Sequence, residues 1–173
     1  MRLLGLDEVW WLVSPQNPLK SAAGMAPLAA RLASAEAEAR HPRIKVTAIE
    51  TQLGTRYAVD TVAALQARFP ATRFIWIAGA DILPELHRWR RWRELLRRVP
   101  IAVLARPRYM GAALVSPAMA WAKRWRRPRS AASDWTRWTL PAIIVLDIRT
   151  TPLSATAIRA TDPDWADRLD TPE

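Results

Sequence analysis

An α/β fold built on a parallel sheet is the architecture this sequence predicts. Strand-like and helix-like segments alternate along the chain, and most strand segments are continuous apolar runs, the pattern of strands covered on both faces. Half of the 173 residues are hydrophobic, enough for the core of one compact domain.

Each element follows from local pattern. Val9 to Val13 is an apolar run that ends at Ser14-Pro15, a turn signal, and reads as a buried strand. Residues 25–40, rich in Ala, Leu, Glu and Arg, predict a helix stopped before Pro42. Ile44 to Ile49 reads as a strand, and Gly54-Thr55 breaks the chain after it. Tyr57 to Arg68 spreads Val59, Val62, Ala63, Leu65 and Ala67 around a helix that ends before Pro70. Phe74 to Ala78 is the clearest buried strand, closed by Gly79. A short helical stretch from Ile82 follows, then Trp89 to Arg98 in helical spacing. Ile101 to Leu104 is another strand, ending at Ala105-Arg106-Pro107. The Pro- and Arg-rich segment from Arg106 to Pro128 is expected to hold one helix, around Ala118 to Arg124. Ile143 to Leu146 is a last strand, Ser154 opens a short helix, and the tail from Pro163 is a weak helix or a frayed end.

Right-handed crossovers between such strands give a doubly wound, Rossmann-like sheet. With no internal repeat and no low-complexity linker, residues 1–173 read as a single domain. Arg2-Leu3-Leu4-Gly5 looks like the last turn of a helix running straight into the first strand. A doubly wound sheet places a central strand before that helix, so this strand is expected to lie upstream of Met1.

Composition narrows the chemistry. With no cysteine, disulfides, thiolate zinc sites and cysteine nucleophiles are excluded. Two histidines, His41 and His87, are too few for a histidine-rich metal site, and none is expected. No apolar run approaches the roughly 20 residues of a membrane-spanning helix. Asp7 and Glu8 interrupt the only apolar stretch at the start, which is not the pattern of a secretory signal. A cytoplasmic protein without a membrane partner is the expectation. The net charge of +10 is almost wholly arginine, since Lys20, Lys45 and Lys123 are the only lysines. Arginine's planar fork suits phosphate and carboxylate, although an Arg- and Ala-rich composition alone explains much of the excess.

Ligands of such sheets sit outside the carboxyl ends of the strands, which selects four places. Asp81, two residues past Gly79, can accept hydrogen bonds from a sugar's hydroxyls, with Gly79 permitting close backbone approach; it can equally cap the helix that follows. Ser154-Ala155-Thr156-Ala157-Ile158-Arg159 opens a helix with two hydroxyls, and Thr156 and Arg159 share a face, so both can reach one anion; an ordinary cap with a surface arginine fits the same pattern. In His87 to Arg93, Trp89 and Trp92 are expected on one helix face among arginines, where rings can stack on a base or a pyridine, or simply pack in the core. Basic residues interleaved with aromatics also fit nucleic-acid binding, the main rival reading. The loop Ser14 to Lys20, stiffened by Pro15 and Pro18, can aim Lys20 at an anion.

Together these pieces carry a resemblance. Trp10 to Lys20 is similar to the loop after the second strand of bacterial nicotinate-nucleotide adenylyltransferases. Leu53 to Thr61 resembles their Thr-Arg-Tyr-Thr-x-x-Thr helix entry, and Phe74 to Asp81 with Leu86 to Trp89 resembles their strand, Gly-x-Asp and His-Arg-Trp series. Ile101 to Pro107 matches the next strand and its Arg-Pro ending; Ser154 to Arg159 resembles the Ser-(Ser/Ala)-Thr-x-Ile-Arg signature. The match runs over about residues 1–160, in order.

The resemblance implies transfer of AMP from ATP to nicotinate mononucleotide, releasing pyrophosphate, in NAD synthesis, with no covalent intermediate. It implies ATP contacts from Gly79, Asp81, Arg106, Ser154, Thr156 and Arg159, and nicotinate mononucleotide contacts from Lys20, Tyr57, Ala58 and Trp89. Magnesium would arrive on the ATP phosphates, and no nucleic acid is expected as a partner. The sequence sets no oligomeric state. Two departures stand out. Ala58 replaces the family's Thr, which leaves a backbone contact and removes a hydroxyl. The family's first strand and its Gly-x-Phe-x-Pro-x-His-x-Gly-His motif are missing, so no catalytic residue is assigned, and His41 and His87 sit in other contexts. About 25 residues would supply that strand and motif, and a start placed too late at Met1 is the favoured explanation. An inactive truncated paralogue is the alternative.

Overall fold

A computed structural model describes residues 1–15 and 26–147. The described residues divide into two compact units, one within Leu6–Arg56 and the other made of Arg2–Gly5 with residues 57–147. Both are parallel sheets with helices, the α/β class read from the sequence.

In the first unit β1 (Val9–Leu12) pairs in parallel with β2 (Ile44–Thr47), Val9 opposite Ile44 and Leu12 opposite Thr47. Helix α1 (Leu28–Glu38) makes the crossover and buries Ala30 and Ala35. Its Arg31 donates to three carbonyls: Nη1 to Ser14 at 2.6 Å, Nη2 to Pro15 at 2.9 Å and Nε to Ala26 at 3.0 Å. One guanidinium thus satisfies backbone acceptors where β1 ends and where the approach to α1 begins. The strand expected to reach Ile49 stops at Thr47, and Ile49 opens a five-residue helix, α2 (Ile49–Leu53). So short a helix leaves no 3.6-residue period to read. Gly54 ends it in the left-handed region, φ 62°, and the N–H of Thr55 reaches the carbonyl of Glu50 at 3.0 Å. Glycine carries no Cβ penalty in that conformation.

The second unit opens with α3 (Ala58–Arg68) and holds a four-stranded parallel sheet in the order β3-β4-β6-β5. Its strands are β3 (Trp76–Gly79), β4 (Ile101–Leu104), β5 (Arg126–Arg127) and β6 (Ile143–Leu146). β4 and β6 have the bounds expected from their apolar runs. β3 starts two residues later than the apolar pattern does. The Trp76 N–H bonds the Pro100 carbonyl at 2.9 Å, and proline has no N–H with which to extend the ladder. Between β3 and β4 lie a 3₁₀ turn (Ala80–Ile82), α4 (Leu83–Leu86) and α5 (Trp92–Arg98). Leu83, Leu86, Leu95 and Leu96 are buried in one core cluster with Val59 and Val62 of α3 and Ile101 and Val103 of β4.

Two departures here have physical causes. The helix expected from Trp89 starts at Trp92, because Arg91 is left-handed, φ 48° and ψ 38°. Trp89 therefore sits in the turn before α5, its N–H bonded to the Leu86 carbonyl at 3.1 Å, and does not share a helix face with Trp92. After β4, two helices replace the single one expected: α6 (Pro107–Leu114) and α7 (Pro117–Ala122). Proline reads as a breaker, yet at a first helical position its missing N–H costs nothing. Ser116 caps α7 by accepting from the Met119 N–H at 3.3 Å. Two 3₁₀ segments follow, Lys123–Trp125 and Arg129–Arg137. From the second, buried Trp135 donates its indole N–H to the Leu4 carbonyl at 2.7 Å and so anchors the 3₁₀ turn Arg2–Leu4.

Two stability measurements check this account. Trp135→Phe strands the buried Leu4 carbonyl and should cost about 1–3 kcal/mol in urea unfolding; an unchanged midpoint would contradict the anchor. Arg91→Gly and Arg91→Ala lose the same side chain, so their difference isolates the backbone. Glycine should be the more stable of the two by about 1–2 kcal/mol.

Candidate functional site

The carboxyl edge of the four-stranded sheet is set by register. Gly79 and Leu104 are opposite one another, so β3 and β4 end side by side. From Gly79 the chain turns into Ala80–Ile82; from Leu104 it passes through Ala105, whose N–H bonds the Leu146 carbonyl at 2.8 Å, to Arg106, the N-cap of α6. Asp81 and Arg106, distant in sequence, thereby face each other with Arg106 Nη1 3.4 Å from Asp81 Oδ1.

The state of that carboxylate is the informative feature. Asp81 Oδ1 is shielded from solvent and accepts no hydrogen bond, whereas the side chain as a whole is 38% exposed. Its exposure therefore lies on its remaining atoms. The charge of Arg106 is its compensation in place of a hydrogen bond. The alternative role left open by the sequence, a cap for the next helix, is absent: Ile82 is the N-cap of α4 and no side chain caps it. Gly79 is explained by space and not by backbone conformation, since its φ is −74°. A Cβ there would collide with Asp81 Oδ1 and lie 3.2 Å from Arg106 Nε. Glycine leaves room for the carboxylate and the guanidinium over the end of β3.

A second group gathers at the start of α3. The Tyr57 carbonyl accepts from the N–H groups of Asp60 at 2.9 Å and Thr61 at 3.0 Å, and from the hydroxyl of fully buried Thr61 at 3.2 Å. Asp60 forms an ion pair with Arg91, the left-handed residue before α5, and Arg91 also meets Glu94 at 3.4 Å. The neighbouring Arg90 lies over the Tyr57 ring, its Cζ 4.8 Å from the centroid. Tyr57, Ala58 and Trp89 are partly buried and pack against the same core cluster. The turn carrying Trp89 is thus tied to the start of α3 by one ion pair and one cation–π contact. Sequence reading missed this link, because neither a left-handed arginine nor a pair between separate helices leaves a local pattern.

Three further tryptophans pack against one another. Trp92 meets Trp121 edge-on at 5.1 Å between centroids, and Trp121 meets Trp125 at 4.4 Å. Arg93 lies over Trp92, Arg97 over Trp121 and Arg124 over Trp125. An open depression of about 510 Å³ is lined there by Ala120, Trp121, Lys123 and Arg124. Each of these three indoles has a guanidinium over it. In the first unit a smaller depression, about 270 Å³, is lined by Pro15, Glu50, Thr55 and Arg56.

Six of the expected site residues are therefore described: Gly79, Asp81 and Arg106 converge at the sheet edge, while Tyr57, Ala58 and Trp89 pack on one core cluster. Lys20, Ser154, Thr156 and Arg159 lie outside the described residues. Among the described residues no helix is long and apolar enough to cross a membrane.

A family model described as cytidylyltransferase-like matches residues 1–161. A protein of Erythrobacter litoralis named probable nicotinate-nucleotide adenylyltransferase is 52% identical over 168 residues, covering 97% of this chain and 77% of its own length. Proteins of the same name from Parvibaculum lavamentivorans and Cereibacter sphaeroides are 53% and 51% identical, over 92% and 90% of this chain and 79% and 82% of theirs. The chain belongs to the cytidylyltransferase-like family, with nicotinate-nucleotide adenylyltransferases among its relatives.

Proposed function

We propose that this protein transfers AMP from ATP to nicotinate mononucleotide, forming nicotinate adenine dinucleotide and pyrophosphate in NAD biosynthesis. The observation that carries the reading is the carboxyl edge where Gly79 leaves space for Asp81 and Arg106, in a chain about half identical to proteins of that name. We read residues 1–173 as one nucleotidyltransferase domain and the protein as cytoplasmic, with neither nucleic acid nor membrane as partner.

In this reaction a phosphate oxygen of the mononucleotide attacks the α-phosphorus of ATP. A new P–O bond forms, the bond from the α-phosphorus to the bridging oxygen breaks, and pyrophosphate leaves with the electron pair. No side chain has to bond to phosphorus, so the protein contributes orientation and charge. Asp81 takes the ATP ribose hydroxyls on its exposed side, and Arg106 brings positive charge to the same place. On the resemblance, Ser154, Thr156 and Arg159 hold ATP phosphates and Lys20 faces a substrate phosphate. Trp89 covers the pyridine ring, beside Tyr57 and the backbone of Ala58.

Magnesium would be held mainly by the ATP phosphates. When bound, magnesium supplies neutralising charge to the ATP phosphates.

Full-length protein given ATP, magnesium and nicotinate mononucleotide should release pyrophosphate and the dinucleotide in equal amounts; absence of the dinucleotide would overturn the function. Asp81→Ala should raise the KM for ATP about tenfold or more. Gly79→Ala should act in the same direction, because its Cβ displaces the carboxylate. Trp89→Ala should instead raise the KM for nicotinate mononucleotide about tenfold. Equal effects of Asp81→Ala and Trp89→Ala on both substrates would refute the division of roles.

A further inference from the structure

Four cations with no part in the reaction above gather around one depression of the second unit. Arg93 and Arg97 stand one turn apart on α5, and Lys123 and Arg124 open the 3₁₀ segment that follows α7. All four are exposed, and none pairs with a carboxylate among the described residues. The single acid of α5, Glu94, is shared by Arg91 and Arg98. Trp121 lies between the four: Arg93 and Arg97 sit over its ring at 5.8 and 5.6 Å. Arg124 sits over Trp125 at 4.1 Å, and that ring packs on Trp121. Ala120 and Trp121 supply the apolar floor of the open depression of about 510 Å³, and Lys123 and Arg124 its charged rim.

Register sets this surface apart from the edge that carries Asp81. Trp76, Ile101 and Ile143 are level, and Arg126 is level with Ile143, so the four strands of the sheet start together. α5 ends just ahead of Ile101 and the 3₁₀ segment just ahead of Arg126, at that amino edge. Gly79 and Arg106 are at the carboxyl ends of the strands. The charge here is therefore not placed for ATP.

We propose that the depression docks an acidic segment of a partner protein, with carboxylates on the cationic rim and one apolar side chain on the floor. A guanidinium stacked on an indole keeps its in-plane donors free for a carboxylate. It is also held before the partner arrives, so less side-chain freedom is lost on binding. Arginine and tryptophan are the residue types in which interfaces concentrate their energy, and an apolar centre with a polar rim is the usual interface plan. A bare phosphate chain would satisfy the cations and leave Ala120 and Trp121 wet. An acidic segment with an apolar residue covers both.

The probe is a fluorescein-labelled peptide in which aspartates flank a single leucine, titrated with the full chain and followed by anisotropy. It should bind, and raising salt from about 0.1 M to about 1 M should remove most of the binding, as the screening length falls from roughly 10 Å to 3 Å. Arg97→Gln and Lys123→Gln should each weaken binding about two- to fivefold, and together about tenfold, with thermal midpoint and dinucleotide synthesis at wild-type values. Serine in place of the peptide's leucine should weaken it about fivefold or more. Lys123 is exposed and unpaired among the described residues, so Lys123→Gln decides if Arg97→Gln proves unstable. No binding, binding indifferent to both variants, or equal binding of the leucine and serine peptides overturns the proposal. Tighter binding of a single-stranded RNA oligonucleotide with the same dependence on Arg97 and Lys123 overturns it too, in favour of a nucleic-acid surface. A wild type that makes no dinucleotide defeats the functional reading and leaves this test intact, because the binding readouts do not use the reaction.

Discussion

The register between β3 and β4 is the constraint on which the candidate site depends. Parallel pairing of Trp76–Gly79 with Ile101–Leu104 ends both strands at one level, so the chain turns outward twice side by side. A one-residue slip would reverse every side chain of β3 and move Gly79 from opposite Leu104. The apolar residues Ile101, Ala102 and Val103 are fully buried and resist such a slip. Core burial thus fixes the separation of two charged groups that contribute little to the core themselves. Asp81 and Arg106, each more than a third exposed, are poor stabilisers at 3.4 Å in solvent. Their placement side by side follows from the level at which the two strands end, not from the energy of the pair.

The second device is the turn from Leu86 to Trp92. A left-handed arginine carries a backbone cost of about 1–2 kcal/mol, and here it sits between two helices that pack into the same core. Its side chain reaches Asp60 in the first turn of α3, and Arg90 reaches Tyr57 at that helix's N-cap. The strained residue therefore bends the chain to bring two consecutive arginines against the start of another helix. Backbone strain of this kind persists where surrounding contacts over-determine it. Thr61, buried and bonded to the Tyr57 carbonyl, stiffens the other side of the junction.

The first unit shows the same economy with a single side chain. Arg31 serves the carbonyls of Ser14, Pro15 and Ala26 together, so the exit from β1 and the entry to α1 are held by one guanidinium. Arginine's several donors in a fixed fork allow this where lysine's compact ammonium would not. Other arginines lie over the rings of Tyr57, Trp92, Trp121 and Trp125, so the excess of arginine also serves contacts within the chain.

The sequence by itself determined the α/β class, the bounds of β4 and β6, the body of α1 and α3, and Asp81 as the acid beyond a closing glycine. These follow from local signals: Ile101–Leu104 and Ile143–Leu146 are apolar at every position, and glycine and proline punctuate the chain around them. Only the tertiary structure decided why Gly79 is glycine, because the reason is space taken by Asp81 and Arg106 and not a property of its own dihedral angles. It also decided that Trp89 lies in a turn, that Arg91 answers Asp60, and that prolines 107 and 117 begin helices. Hydrophobic periodicity encodes which face a residue buries; it holds no record of which distant charge will lie across from it. That pairing exists only once the strands are in register.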